Sequence, residues 1–351
     1  MVARLLPGAR LVGVRPLAGD EEASVASHKG GGYGAPLALE VQGKDRVERL
    51  VLHTATKNQF GHDRRADRAA DALLSFDNFR RIPLHVRALE VGAYTTNDEL
   101  LPLTNATEFY VLTTFAEGEP YAQDLRAISD RAGLAPRDTE RTDILARYLA
   151  DLHRERHEDT VAWQRAARDL FGSGEGLFGI LDAFPADTPG VSAERLERLE
   201  RAALEYRPRL RAKHGRLATT HGDFHPFNLV FSQEGALAVL DASRGCLGDP
   251  ADDVVCLAIN YAFFALTARR DARPAFHELW SRFFRRYFEA RPDPELLELA
   301  PPFLAWRALV LTNPVWYPDF PGAERDRLLT FVEQTLAAGT LVPEHANPLF
   351  T

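Results

Sequence analysis

The sequence predicts an α+β chain: a small β-rich part over residues 1–115, then a larger helical part that carries one inserted β-hairpin. Three observations carry this. Within residues 1–60, short apolar runs are separated by stretches of turn composition. From residue 121 onward, apolar residues recur at helical spacing. Inside that helical part, Ser-Gln-Glu-Gly separates two short apolar runs, as a four-residue hairpin loop does.

The first part supplies strands at Arg10–Leu17, Pro36–Val41 and Arg49–Ala55, the last two joined by Gln-Gly-Lys-Asp. Between the first two lies a glycine-rich stretch, Gly30-Gly-Gly-Tyr-Gly34, preceded by Lys29. A helix follows at about His62–Phe76, with Ala66, Ala69, Ala70, Leu73 and Leu74 on one face. Glu108–Phe115 reads as another strand, ended by Glu-Gly-Glu-Pro. Thr139–Arg156 is helical, Phe171–Gly190 reads as a connection, and Ser192–Arg211 is a charged helix with a Ser-x-Glu start. Asn228–Phe231 and Ala236–Asp241 form the hairpin, and helices follow at Ala251–Thr267, Ala275–Ala290, Pro294–Thr312 and Gly322–Ala338.

Composition narrows the class of protein. At roughly 150 residues per domain, 351 residues suggest about two domains. An ordinary apolar share of 45% with a net charge of −8 excludes wholesale disorder. That negative balance also argues against broad nucleic-acid binding, which needs a basic face. Two cysteines, Cys246 and Cys256, make no disulfide framework. No stretch reaches the roughly 20 apolar residues of a membrane helix, and Pro7 and Arg10 interrupt any leader-like apolar run. A cytoplasmic protein with no membrane or nucleic-acid partner is the expectation. Of the 42 cationic residues only Lys29, Lys44, Lys57 and Lys213 are lysines, which limits any chemistry needing a lysine.

The informative segment is His221-Gly222-Asp223-Phe224-His225-Pro226-Phe227-Asn228, with Asp241 at the far end of the hairpin. Asn228 opens the hairpin's first strand and Asp241 closes its second, so hairpin geometry brings them together. Amide and carboxylate oxygens suit Mg²⁺, which completes its shell with water and phosphate oxygens. Asp223, on the loop leading in, is placed to accept a hydroxyl proton or align a nucleophile. Glycines at 30–34, Gly31 and Gly32 among them, can cradle a phosphate or form a simple hairpin turn.

The offsets of His221, Asp223 and Asn228 match the kinase catalytic loop H-R-D-x-x-x-x-N. The segment resembles the aminoglycoside phosphotransferase and choline kinase-like superfamily, whose signature H-G-D-x-H-x-x-N is present at all five defined positions. Gly248-Asp249-Pro250 and the pair Asp252-Asp253 are similar to that superfamily's trailing motif, and Leu145–His153 resembles its helix ending in Leu-His. The resemblance implies a bilobal protein-kinase-like fold: an antiparallel-sheet lobe with one main helix (1–115), a hinge (116–120) and a helical lobe with the catalytic hairpin (121–351). It implies ATP and Mg²⁺ as cofactors. Asp223 would be catalytic, with His221 and His225 supporting the loop, and Asn228 and Asp241 would be the metal ligands. Tyr110–Glu119 resembles the adenine-binding hinge, which puts Thr114 and Phe115 near the base. His53 occupies the strand position where the superfamily carries a phosphate-gripping lysine, and Lys57 or Lys29 could serve in its place. Asp67, with Asp71 second, looks like the acid that pairs with that cation.

The expected activity is therefore ATP-dependent phosphoryl transfer to a hydroxyl of a small metabolite or antibiotic, with acidic side chains in the helical half suiting a cationic acceptor. Two alternatives compete. A kinase-like module could bind nucleotide or metabolite without turnover. Binuclear metallophosphoesterases share Gly-Asp-x-His and use an upstream Asp-x-His, which Asp151-Leu152-His153 supplies superficially. That tripeptide lies mid-helix by periodicity, however, and the ligands for two metals about 3.5–4 Å apart are not all present.

Overall fold

Alternation in the first apolar runs sets up a three-stranded antiparallel sheet, β1 (Arg10–Pro16), β2 (Leu37–Gln42) and β3 (Val47–Leu52), in the order β1-β2-β3. β2 is central and buries Ala38, Leu39 and Val41, while Val14 on β1 and Val51 on β3 stay exposed. Leu37 pairs with Leu52 and Gln42 with Val47, and Gly43 N–H donates to the Arg46 carbonyl at 2.9 Å in the turn. The computed structural model describes residues 7–16, 36–44, 46–79, 86–97, 99–107, 109, 111–242, 244 and 246–351. It divides into two units, Met1–Thr113 and Thr114–Thr351.

The expected helix of the first unit forms as α1 (Arg65–Phe79), which buries Phe76. A short hairpin of β4 (Gly92–Tyr94) and β5 (Leu100–Pro102) completes its described elements. The strand expected at Glu108–Phe115 does not form in its described residues. Val111 and Leu112 are 88% and 91% exposed, and among the described residues no strand takes their backbone hydrogen bonds. An apolar run without a neighbour has nothing to pair its amides.

Pairing occurs slightly later. β6 (Glu119–Pro120) joins β8 (Leu229–Phe231) and β9 (Leu237–Val239) in the order β6-β8-β9. Gly118 permits the approach: its φ is +134°, and a Cβ there would lie 2.3 Å from the Phe231 carbonyl oxygen. Any other residue would push β6 off the hairpin.

The rest of the second unit is helical: α2 (Tyr121–Arg131), α3 (Pro136–Leu152), α4 (Thr160–Gly172), α5 (Leu177–Asp182), α6 (Ala193–Leu204) and α7 (Arg207–Arg211) precede the hairpin. α5 and the end of α4 fall within Phe171–Gly190, which reads from composition as a connection. Phe171, Leu177 and Ile180 are buried there, so burial overrides the Gly and Asp content. Beyond the hairpin come α8 (Ala251–Thr267), α9 (Arg273–Ala290), α10 (Pro294–Thr312) and α11 (Gly322–Ala338). α8 is apolar almost all round and buried along nearly its whole length, as a helix at the centre of a core must be. It packs on α9 and α10, and α9 packs on α3. Among the described residues, no helix is long and apolar enough to cross a membrane.

Candidate active site

The segment 220–228 runs between β7 (Ala218–Thr219) and β8, and β7 pairs with β10 (Leu247–Gly248). Thr220 N–H donates to the Cys246 carbonyl at 3.0 Å, which fixes the start of the loop. Gly222 turns it with φ +81°, a left-handed conformation that suits glycine. A 3₁₀ turn at Pro226–Asn228 then delivers the chain into β8.

A buried carboxylate holds this loop from below. Asp253, in the first turn of α8, accepts the backbone N–H groups of His221 at 2.7 Å and Gly222 at 2.8 Å. It also meets His153 Nε2 at 3.1 Å, and His153 Nδ1 lies 2.9 Å from the Tyr287 hydroxyl. Burial alone would raise the Asp253 carboxyl. The hydrogen bonds from His153 and from the two loop amides reverse this and hold it below the ordinary carboxylate range. Because His153 is fully buried and engaged at both ring nitrogens, it is not available as a metal ligand. That removes the one upstream Asp-x-His a metallophosphoesterase would have used.

Inside the loop, Asp223 N–H donates to His221 Nδ1 at 3.2 Å, and Asn228 Nδ2 donates to the Asp223 carbonyl at 3.1 Å. His221 and Asn228 thus brace the backbone on either side of Asp223. The nitrogen of the Asn228 amide is committed to the loop, and its oxygen Oδ1 is the atom that can accept or coordinate. His225 Nδ1 accepts from Phe227 N–H at 3.2 Å. Burial lowers the His225 imidazole first, and Arg307 and Arg244 add to that against the pull of Asp223. The ring is therefore biased toward its neutral form.

The Asp223 side chain is buried, with its two oxygens treated differently. Oδ1 accepts from Arg307 Nη1 at 2.7 Å. Oδ2 has Arg244 Nη2 at 3.5 Å and His225 Nε2 at 3.7 Å as its charged neighbours. Arg307, on α10, also donates to the Gly222 carbonyl at 2.6 Å and to Asp252 Oδ1 at 2.6 Å. Burial would lower its guanidinium, but Asp252 and Asp223 outweigh that and keep it firmly charged. Arg244 reaches Glu175 Oε2 at 3.1 Å. The Trp306 ring meets both guanidiniums, Arg307 at 3.8 Å and Arg244 at 5.3 Å.

β9 ends at Val239, so Asp241 lies two residues past the strand it was expected to close. It is exposed and adopts φ +57°, and Ala132 is the other non-glycine among the described residues with positive φ. The preceding Leu240 N–H donates to the Asn228 carbonyl at 2.9 Å, which sets Asp241 at the open end of the hairpin beside Asn228. Among the described residues no cluster of three His, Cys, Asp or Glu could hold a metal alone. An Asn–Asp pair that leaves positions for phosphate oxygens and water is the set Mg²⁺ uses.

The trailing Gly-Asp-Pro is structural. Asp249 caps α8 through Ala251 N–H at 2.9 Å and pairs with the buried Arg216, which also grips Asp293 at the head of α10. Thr114 and Phe115 are exposed and lie just before Gly118. In the first unit, His53 sits one residue past β3, and His53 and Lys57 are both exposed. The Asp67 carboxylate accepts Arg64 N–H at 2.9 Å, a reach-back bond at the start of α1. Lys29, Gly31 and Gly32 lie outside the described residues.

Arg307 and Arg244 escape a reading of the sequence because arginines abound in this chain. One cue existed for Arg307. It is the single charge in the run Pro301–Leu311, and a charge on a buried helix requires a partner.

A mixed α/β chain, mostly helical, with an aspartate loop seated on an antiparallel hairpin is the class that the fold and site define. The model of the phosphotransferase enzyme family matches residues 40–291, most of the chain, and the chain belongs to that family. No curated protein matches it. Among solved structures it is similar to a glucosamine kinase in complex with glucosamine, ADP and inorganic phosphate, at 18% identity and a TM-score of 0.41, over 65% of this chain and 61% of that one. A choline kinase from Streptococcus pneumoniae aligns at 13% identity over 96% of both chains, with a TM-score of 0.35. An aminoglycoside-3'-phosphotransferase of type VIII aligns at 18% identity over 87% of this chain and 94% of that one, with a TM-score of 0.34.

Proposed function

We propose that this phosphotransferase is an ATP-dependent small-molecule kinase whose acceptor is an alcohol. The observation that carries this reading is the asymmetry at Asp223, with Oδ1 tied to Arg307 and Oδ2 facing the side of His225 and Arg244. A carboxylate fixed by one oxygen and offering the other is suited to receive a hydroxyl hydrogen bond.

In the reaction, the acceptor oxygen attacks the γ-phosphorus of ATP, the bond to the β,γ-bridging oxygen breaks, and ADP leaves. The hydroxyl proton passes toward Asp223 Oδ2. Catalysis of this kind rests mostly on positioning and charge neutralisation. Asp253, His221 and Asn228 hold the loop backbone so that Asp223 cannot wander. Asn228 Oδ1 and Asp241 would hold Mg²⁺, whose chemistry is to neutralise phosphate charge. His225 Nε2 stands 3.7 Å from Oδ2, beyond hydrogen-bond distance, which leaves Oδ2 open to the acceptor. His53 and Lys57, with Lys29, are the candidates for the phosphate contact in the first unit, and Thr114 and Phe115 are those for the nucleotide base. Asp67 would support the phosphate-gripping cation.

The test is a screen of ATP consumption with Mg²⁺ across amino sugars, aminoalcohols, neutral sugars and aminoglycosides. Turnover with one class, abolished in Asp223→Asn, supports the reading. Nucleotide binding without turnover, equal in wild type and Asp223→Asn, would favour a non-catalytic binding module.

A further inference from the structure

The geometry points to Arg307 as the positioning residue that decides which oxygen of Asp223 faces the acceptor, an inference that rests on the kinase reading above. Arg307 lies 84 residues beyond Asp223 in the chain, on α10, and is 5% exposed. Its guanidinium makes a three-way tie. Nη1 takes Asp223 Oδ1, Nη2 takes the Gly222 carbonyl, and Nη2 and Nε share Asp252 Oδ1 at 2.6 and 3.1 Å. The fork therefore fixes the carboxylate of Asp223 relative to the backbone one residue before it. Trp306, whose own Nε1 is held by the Glu175 carbonyl at 2.8 Å, backs the plane of that fork.

Asp223 has two torsions through which its oxygens could exchange. Within the loop, His221 and Asn228 bond the Asp223 backbone and not its carboxylate, and His225 Nε2 at 3.7 Å is too far for a hydrogen bond. The 2.7 Å bond from Arg307 does restrain them. Removing it frees the carboxylate to rotate toward Arg244 or His225, where Oδ2 would be taken from the acceptor. A lysine in its place keeps the charge but cannot bridge three acceptors in one plane.

The experiment has two independent readouts, on Arg307→Lys, Arg307→Gln and Asp252→Asn in the full chain. The first is the crystal structure of each variant. The account predicts that the Asp223 carboxylate turns from its wild-type position in Arg307→Gln while residues 221–228 keep their backbone. The second is steady-state kinetics with Mg²⁺-ATP and the best acceptor from the screen. Arg307→Gln is expected to lower kcat by about 10²-fold, the cost of a misplaced reacting group, with the KM for ATP within twofold. Arg307→Lys should recover part of that loss, and Asp252→Asn, which removes one anchor of the fork, should lose less. Combined with Asp223→Asn, the Arg307→Gln change should cost nothing more, since both act through one carboxylate. An unmoved carboxylate in Arg307→Gln, or losses that multiply in the double variant, would overturn the inference. Should Arg307→Gln fail to fold, the Lys and Asp252→Asn variants decide it by the same two criteria. If wild type shows no turnover, the kinase reading fails while the crystal structures still decide the positioning role.

Discussion

The two units of this chain are built on different terms. In the three-stranded sheet of the first, one strand is well buried and both edge strands carry exposed valines, and α1 buries a single phenylalanine. In the second, α8 and α10 are buried almost throughout, and aromatic side chains of α9 such as Phe276, Trp280 and Phe283 fill the space beside them. The proposed functional residues divide the same way. His53 and Lys57 are exposed on the first unit, while Asp223 and Asn228 are buried on the second, in a loop that its neighbours hold on several sides. The lesson is that preorganisation is concentrated where sub-ångström placement of a reacting hydroxyl would matter. A flexible cation meeting phosphate from the surface, the role proposed for His53 or Lys57, would need less of it.

The sharpest way to break this contrast is by core truncation. Trp280→Ala on α9 should cost about 3–5 kcal/mol, whereas Val51→Ala on β3 should stay within about 0.5 kcal/mol. Chemical denaturation of both variants measures this, and equal losses would contradict the contrast.

Next comes the buried carboxylate beneath the loop. Asp253→Asn keeps the shape but offers one acceptor oxygen to three donors, and should cost about 3 kcal/mol. It also carries a pH dependence. The Asp253 carboxyl is held below its ordinary value in the folded state, so its stabilisation is present above the unfolded value of about 3.9. That stabilisation is lost as pH falls through the lower folded value. Melting temperature against pH should therefore fall less steeply below pH 4 in Asp253→Asn than in wild type.

A smaller loss than at Asp253 is expected at a helix cap. Ser192 caps α6 by accepting Arg195 N–H at 3.2 Å, and Ser192→Ala should cost about 1 kcal/mol. Phosphoryl transfer should be untouched by that change.

Much of this was legible in the sequence. The hairpin, the loop and helices such as 251–267, 294–312 and 322–338 follow from periodicity and turn chemistry, which are local properties. The strand expected at 108–115 does not form in its described residues, because an apolar run does not reveal whether a partner strand exists. α5 and the end of α4 fall inside 171–190, where Gly and Asp content reads as a connection, because the burial of their residues is decided by distant neighbours. At the site, the motif names Asp223 and Asn228, whose spacing is fixed along the chain. Arg307 and Tyr287 are not legible in that way. Their roles come from tertiary placement, 84 residues from Asp223 and 134 from His153 respectively.

The most direct measurement is ³¹P NMR of the wild-type chain with Mg²⁺-ATP and a pool of hydroxylated metabolites. The account predicts one new phosphomonoester resonance growing in step with ADP, and its loss by about 10²-fold or more in Asp223→Asn. Release of phosphate from esters without ATP, or the same product at the same rate from Asp223→Asn, would contradict it.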